Sequence, residues 1–142
     1  MAAVALGVSP GEFHFEDHMF TFTLASGITV ADIGKAVSVD TGAGMKVKLA
    51  TDNEKIFGRL EAVEDRVQEG VLIGTVSLKF MGKLPSTGTI NVGDSVVGSA
   101  TAGTVKAATT FTATGQAGTL PQYNNSVTVA AASNVVYVAF GI

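Results

Sequence analysis

Turn signals recur roughly every 8–12 residues along this chain, with short β-branched or alternating runs between them. Ser9-Pro10-Gly11, Ser26-Gly27, Thr41-Gly42-Ala43-Gly44, Pro85 to Gly88, Val92-Gly93-Asp94 and Ser133-Asn134 are the punctuation. No amphipathic stretch long enough for an ordinary helix interrupts this rhythm, and no repeat of fixed period is evident. The expected fold is therefore mainly β. Eight to ten short strands would form a small antiparallel barrel or sandwich, with an extended N-terminal arm and at most one short helical turn. Composition agrees: Gly, Ala, Val and Thr number 17, 19, 19 and 16, half of the 142 residues. Val and Thr suit a pleated surface, and glycine suits turns.

The strand grammar can be placed along the chain. Thr29 to Gly34 reads as one helical turn, capped by Thr29 and ended by Gly34. Lys35 to Asp40 and Met45 to Ala50 alternate and form a hairpin. Ile56 to Val63 is the next strand, in which Gly58 marks a bulge or a close backbone contact. Glu64 to Gly70 reads as a charged loop, and Val71 to Met81 as the longest apolar stretch. Ser95 to Val97 and Thr104 to Lys106 flank a glycine-rich turn. Thr109 to Thr114 reads as a strand, Gly115 to Asn125 as a loop, and Ser126 to Ala131 and Asn134 to Ile142 as closing strands.

The domain reading is residues 1–27 as an arm plus aromatic strand segment, and residues 28–142 as one β domain. Half of the eight Phe residues fall in one stretch, as Phe13, Phe15, Phe20 and Phe22. Each pair alternates with polar residues, but the parity changes around Glu16-Asp17-His18, so a turn or bulge belongs there. The stretch is either an edge hairpin of the core or an aromatic arm that packs on a neighbouring subunit.

Charge is uneven. Residues 1–34 carry Glu12, Glu16, Asp17 and Asp32 and no Lys or Arg. Residues 107–142 carry no charged side chain. That end is either a strand-rich core segment or one covered by a partner, because interface centres are depleted of charge. No dense cluster of Lys and Arg exists, which disfavours nucleic-acid binding. No run of about 18 apolar residues is present, so no membrane-spanning helix is expected. The apolar N-terminus lacks the basic start of a secretory signal, and the reading is a mature arm made in the cytoplasm.

Catalytic chemistry finds little footing. There is no cysteine. His14 and His18 are the two histidines, and on one strand they would lie about 13 Å apart, too far for one ion unless a turn folds them together. Gly93-Asp94-Ser95 resembles a nucleophile block, yet both histidines lie far upstream, and a turn opening a strand is the simpler account. Gly82-Lys83 is followed by Leu84, so no phosphate loop forms. Glu61, Glu64 and Asp65 read as a solvated loop. The chain is expected to be no enzyme, with no metal and no cofactor.

Four segments, in order, resemble the bacteriophage capsid cement (head decoration) proteins. They are Ala31 to Asp40; Ile56 to Glu64 with Gly74-Thr75-Val76; Val92 to Val97 with Gly103 to Ala108; and Asn134 to Val138. The resemblance covers roughly residues 28–140 and leaves the aromatic stretch outside it. It implies a β-tulip-like barrel on the capsid exterior of the virion. Such proteins commonly sit as homotrimers, bridge neighbouring major capsid protein subunits and resist internal DNA pressure. It also implies an arm that meets a capsid loop or a neighbour. The contact residues expected here are Ala3, Val4, Leu6 and Val8 in the arm, and Phe13, Phe15, Phe20 and Phe22 in the aromatic stretch. Other readings are a tail subunit and a glycan-binding β module; the latter would need surface aromatics, and there is no Trp and only two Tyr.

Overall fold

A computed structural model describes residues 13–14, 18–108 and 126–141. Its strands are β1 (Phe13–His14), β2 (Met19–Leu24), β3 (Ala36–Val39), β4 (Lys46–Leu49), β5 (Gly58–Arg66) and β6 (Val71–Ser77). They continue as β7 (Phe80–Pro85), β8 (Val96–Gly98), β9 (Val105–Ala107), β10 (Ser126–Ala132) and β11 (Val135–Phe140). The fold is mainly β, as the strand-and-turn rhythm predicts. Strands β2-β4-β3-β5-β6 close a barrel, β1-β7-β11-β10 form a second sheet, and β8-β9 form a two-stranded ribbon. Four barrel contacts are antiparallel, while β2 and β4 run parallel, with Leu24 opposite Val47.

The helical turn is where its capping signature places it. Val30–Asp32 is one 3-10 turn. The Thr29 hydroxyl accepts from the Ala31 N–H, and the Asp32 carboxylate accepts from the Thr29 N–H at 2.9 Å. Gly34, at φ 92°, ends it. At Gly58 the close-contact reading holds: a Cβ there would collide with the Ser77 carbonyl oxygen of β6.

Three local readings are corrected. Glu64–Arg66 is not loop but the end of β5, because these residues pair with Val71–Ile73 across a hairpin, turned by a second 3-10 turn at Val67–Glu69. Val71 to Met81 is not one stretch. The chain leaves the barrel at Ser77 and enters the second sheet at Phe80, with the Ser77 hydroxyl donating to the Lys79 carbonyl at 2.8 Å. Residues 19–24, grouped with the arm on sequence, belong to the barrel: Met19 to Thr23 pair with β6, and Thr23 and Leu24 pair with β4. The last two share a reason: β1 pairs with β7 and β2 pairs with β6, so both stretches change sheets together. The change of sheet between β1 and β2 falls where the sequence alternation changes parity. The strand expected at 109–114 and the loop at 115–125 lie outside the described residues.

Two cores result. Leu24, Ile28, Val37, Val47, Leu60 and Val76 fill the barrel. Phe80, Leu84, Val136, Val138 and Phe140 line the inner face of the second sheet and meet Ile56, Val96 and Val105. Adjacent residues serve opposite cores, as strand alternation demands: Ala36 packs in the second core and Val37 in the barrel. Burying each such Val or Leu stabilises the fold by about 2 kcal/mol relative to exposure.

Candidate interaction surfaces

Acidic and hydroxyl side chains at the turns and strand ends make hydrogen bonds and ion pairs that hold the fold. Asp94 accepts from the Asn91 N–H at 2.9 Å, closing the turn at Gly93, whose φ is 95°. The Ser95 hydroxyl donates to the Ser126 carbonyl at 2.9 Å, tying the ribbon to β10. In the Thr41–Gly44 hairpin, Gly42 N–H donates to Asp40 at 2.9 Å. Glu61 and Glu64 sit in ion pairs with Arg59 and Arg66, at 2.7 and 2.6 Å. Among the described residues, no three His, Asp or Glu side chains are grouped to hold an ion, and no helix is long and apolar enough to cross a membrane.

Two carboxylates are held below their ordinary range. Asp32 is lowered by its hydrogen bond from Lys35, at 2.7 Å, and then by the Thr29 N–H. For Glu54 burial is the largest single effect and acts upward, but the hydrogen bonds from Lys48 and Thr51 and the Lys48 charge together outweigh it.

The junction of barrel and second sheet is built on Arg59, which sequence reasoning passed over. Its side chain on β5 is only 5% exposed. It pairs with Glu61, donates to the Lys83 carbonyl at 3.2 Å, and covers the Phe80 ring. Among the described residues, β1 pairs with β7 at Phe80 and Met81. The Arg59 guanidinium satisfies the Lys83 carbonyl of β7. Gly82 leaves room for it, since a Cβ there would collide with the guanidinium. The available signals were an Arg between Gly58 and Leu60, at the buried start of β5, and a glycine inside β7.

The expected contact residues fall into three groups. Ala3, Val4, Leu6, Val8 and Phe15 lie outside the described residues. Phe13 pairs with Met81 through the backbone, so this part of the arm is a strand of the protein's own sheet. Phe20 and Phe22 differ. Phe20 is 48% exposed, whereas Phe22 packs edge-on against Phe57, with ring centroids 5.3 Å apart, beside the barrel core.

The outer face of the second sheet is apolar with one exception. Register sets three rows across β10, β11 and β7: Val127-Ala139-Met81, Ala130-Tyr137-Lys83 and Ala132-Val135-Pro85. The opposite face holds the core, so these rows point outward. Val127 is 50% exposed, and Val129, at a bulge in β10, is 43% exposed. Lys83 is the one charge in the rows, its ammonium 5.6 Å from the Tyr137 ring centroid. The uncharged C-terminal segment thus supplies both core strands and an exposed apolar face.

Set against protein-family models, curated proteins and solved structures, the chain matches none.

Proposed function

We propose that this chain is a structural virion protein, a cement protein on the outer surface of an icosahedral phage head. It bridges neighbouring major capsid subunits and stabilises the DNA-filled head. It acts as a homotrimer, contacts no nucleic acid or membrane directly, and performs no catalytic step. The observation that carries this reading is the outer sheet face, where one lysine is the only charge in three rows. Contiguous exposed apolar surface of this kind marks interaction sites. The ordered resemblance over roughly residues 28–140 supports it, as does the compact β architecture. Docking at many equivalent sites requires shape and repeated weak contacts, and several contacts per trimer supply avidity.

The test is addition of the purified protein to heads that lack it. Saturable binding to the exterior and a higher temperature of DNA release are expected. Deleting residues 2–12, which leaves β1 intact, should weaken that binding. Failure of the full chain to bind any head form would overturn the reading.

A further inference from the structure

One border of the apolar sheet face runs into a groove of about 500 Å³. Ile33 and Lys35, just after the 3-10 turn, form one wall, and Lys83, Pro85 and Val135 form the other. Arg59 and Glu61 also line it, and are already paired with each other. Val30 and Ile33 lie three residues apart around the 3-10 turn, which sets them on one side. They are 68% and 45% exposed, so an apolar ridge leads into the groove.

The charges here do not cancel. Lys35 is paired with Asp32, and Arg59 with Glu61. Lys83 has no carboxylate partner among the described residues. The groove therefore combines apolar walls with one uncompensated positive charge at the edge of an apolar face. Such a surface favours an apolar side chain flanked by a carboxylate and disfavours a basic segment.

We infer that this groove docks an acidic-apolar polypeptide segment of a partner protein. An apolar side chain enters between Ile33, Pro85 and Val135, and a carboxylate meets Lys83. The inference deepens the proposed function, and rests on it for the identification of that partner as the capsid surface.

The experiment has two arms. In the first, the full chain, labelled with nitrogen-15, is titrated with an acetylated Glu-Leu-Glu-Leu-Asp peptide and with its Gln/Asn analogue. Backbone amides of Ile33, Gly34, Lys35, Lys83 and Val135 should shift with the acidic peptide. The shifts should weaken with salt, fall at least fivefold with the analogue, and be lost in Lys83→Glu. No shift at these amides, or equal shifts with the analogue, overturns the inference. So does a concentration-dependent shift of the same amides without peptide, which would make a second copy of this chain the occupant. In the second arm, wild type, Lys83→Gln and Lys83→Glu are bound to heads lacking the protein. Affinity should fall in that order, at least tenfold for Lys83→Glu. Equal binding by all three overturns the capsid contact at this groove. Failure of wild type to bind, with the peptide shifts intact, removes the capsid reading and leaves the groove's ligand class standing.

Discussion

The Arg59 guanidinium carbon lies 4.8 Å from the centre of the Phe80 ring. One residue comes from the barrel, the other from the first position of β7. A buried cation thus spans two layers. It is tolerated because Glu61, the Lys83 carbonyl and the Phe80 ring replace its water.

Arg59→Ala should cost about 3 kcal/mol in urea unfolding, because Glu61 and a strand carbonyl lose their partner. Gly82→Ala should cost about 2 kcal/mol through collision with the guanidinium. In the double variant the alanine at position 82 meets no guanidinium, so the combined cost should fall short of the sum by about 1 kcal/mol or more. Strict additivity would show that the two positions do not share this contact.

Phe20 and Phe22 should separate in a stability measurement. Phe22→Ala removes a ring packed on Phe57 beside the barrel core, and should cost about 2–3 kcal/mol. Phe20→Ala, at a half-exposed position, should cost under about 1 kcal/mol. Equal losses would contradict their different burial.

Thr128 is fully buried on β10, and its hydroxyl has no hydrogen-bond partner among the described residues. Its backbone is satisfied by Gly93 and Asp94. Thr128→Val keeps the shape and removes the unpaired hydroxyl, so it should stabilise by about 1 kcal/mol. A destabilisation of similar size would mean that the hydroxyl is satisfied in solution.

Acid stability has a defined sign. Asp32 has an ordinary value of 3.8 and is lowered in the fold. Its contribution is complete above that value and is lost as pH falls through the lower folded-state value. Glu54, with an ordinary value of 4.5, is lowered in the same sense. Asp32→Asn and Glu54→Gln should therefore be less stable than wild type at neutral pH and lose less on acidification below about pH 4. Unfolding curves that stay parallel to wild type across that range would contradict the assignment.

Local structure was legible where one residue type had one job. The Thr29–Asp32 capping box, the turn at Gly34 and the close approach at Gly58 each follow from local chemistry. Change of sheet was not legible at Ser77–Phe80, because apolar residues continue across it and the step depends on which strand lies alongside. The β2–β4 parallel contact arises from barrel closure, which no local pattern encodes. Arg59 and Gly82 were missed for a related reason. Each is unremarkable in its own strand, and their meaning comes from a contact between strands 23 positions apart. The exposed face was legible in part: absence of charge after residue 106 marked the segment, but only register shows which residues point outward.

The most direct test of the proposed cement role is the copy number of this chain in purified particles of the phage proposed to carry it. Quantitative mass spectrometry would measure it against the major capsid protein. A ratio near one is expected for a protein that covers the head lattice. A few copies per particle, or none, would contradict a cement role.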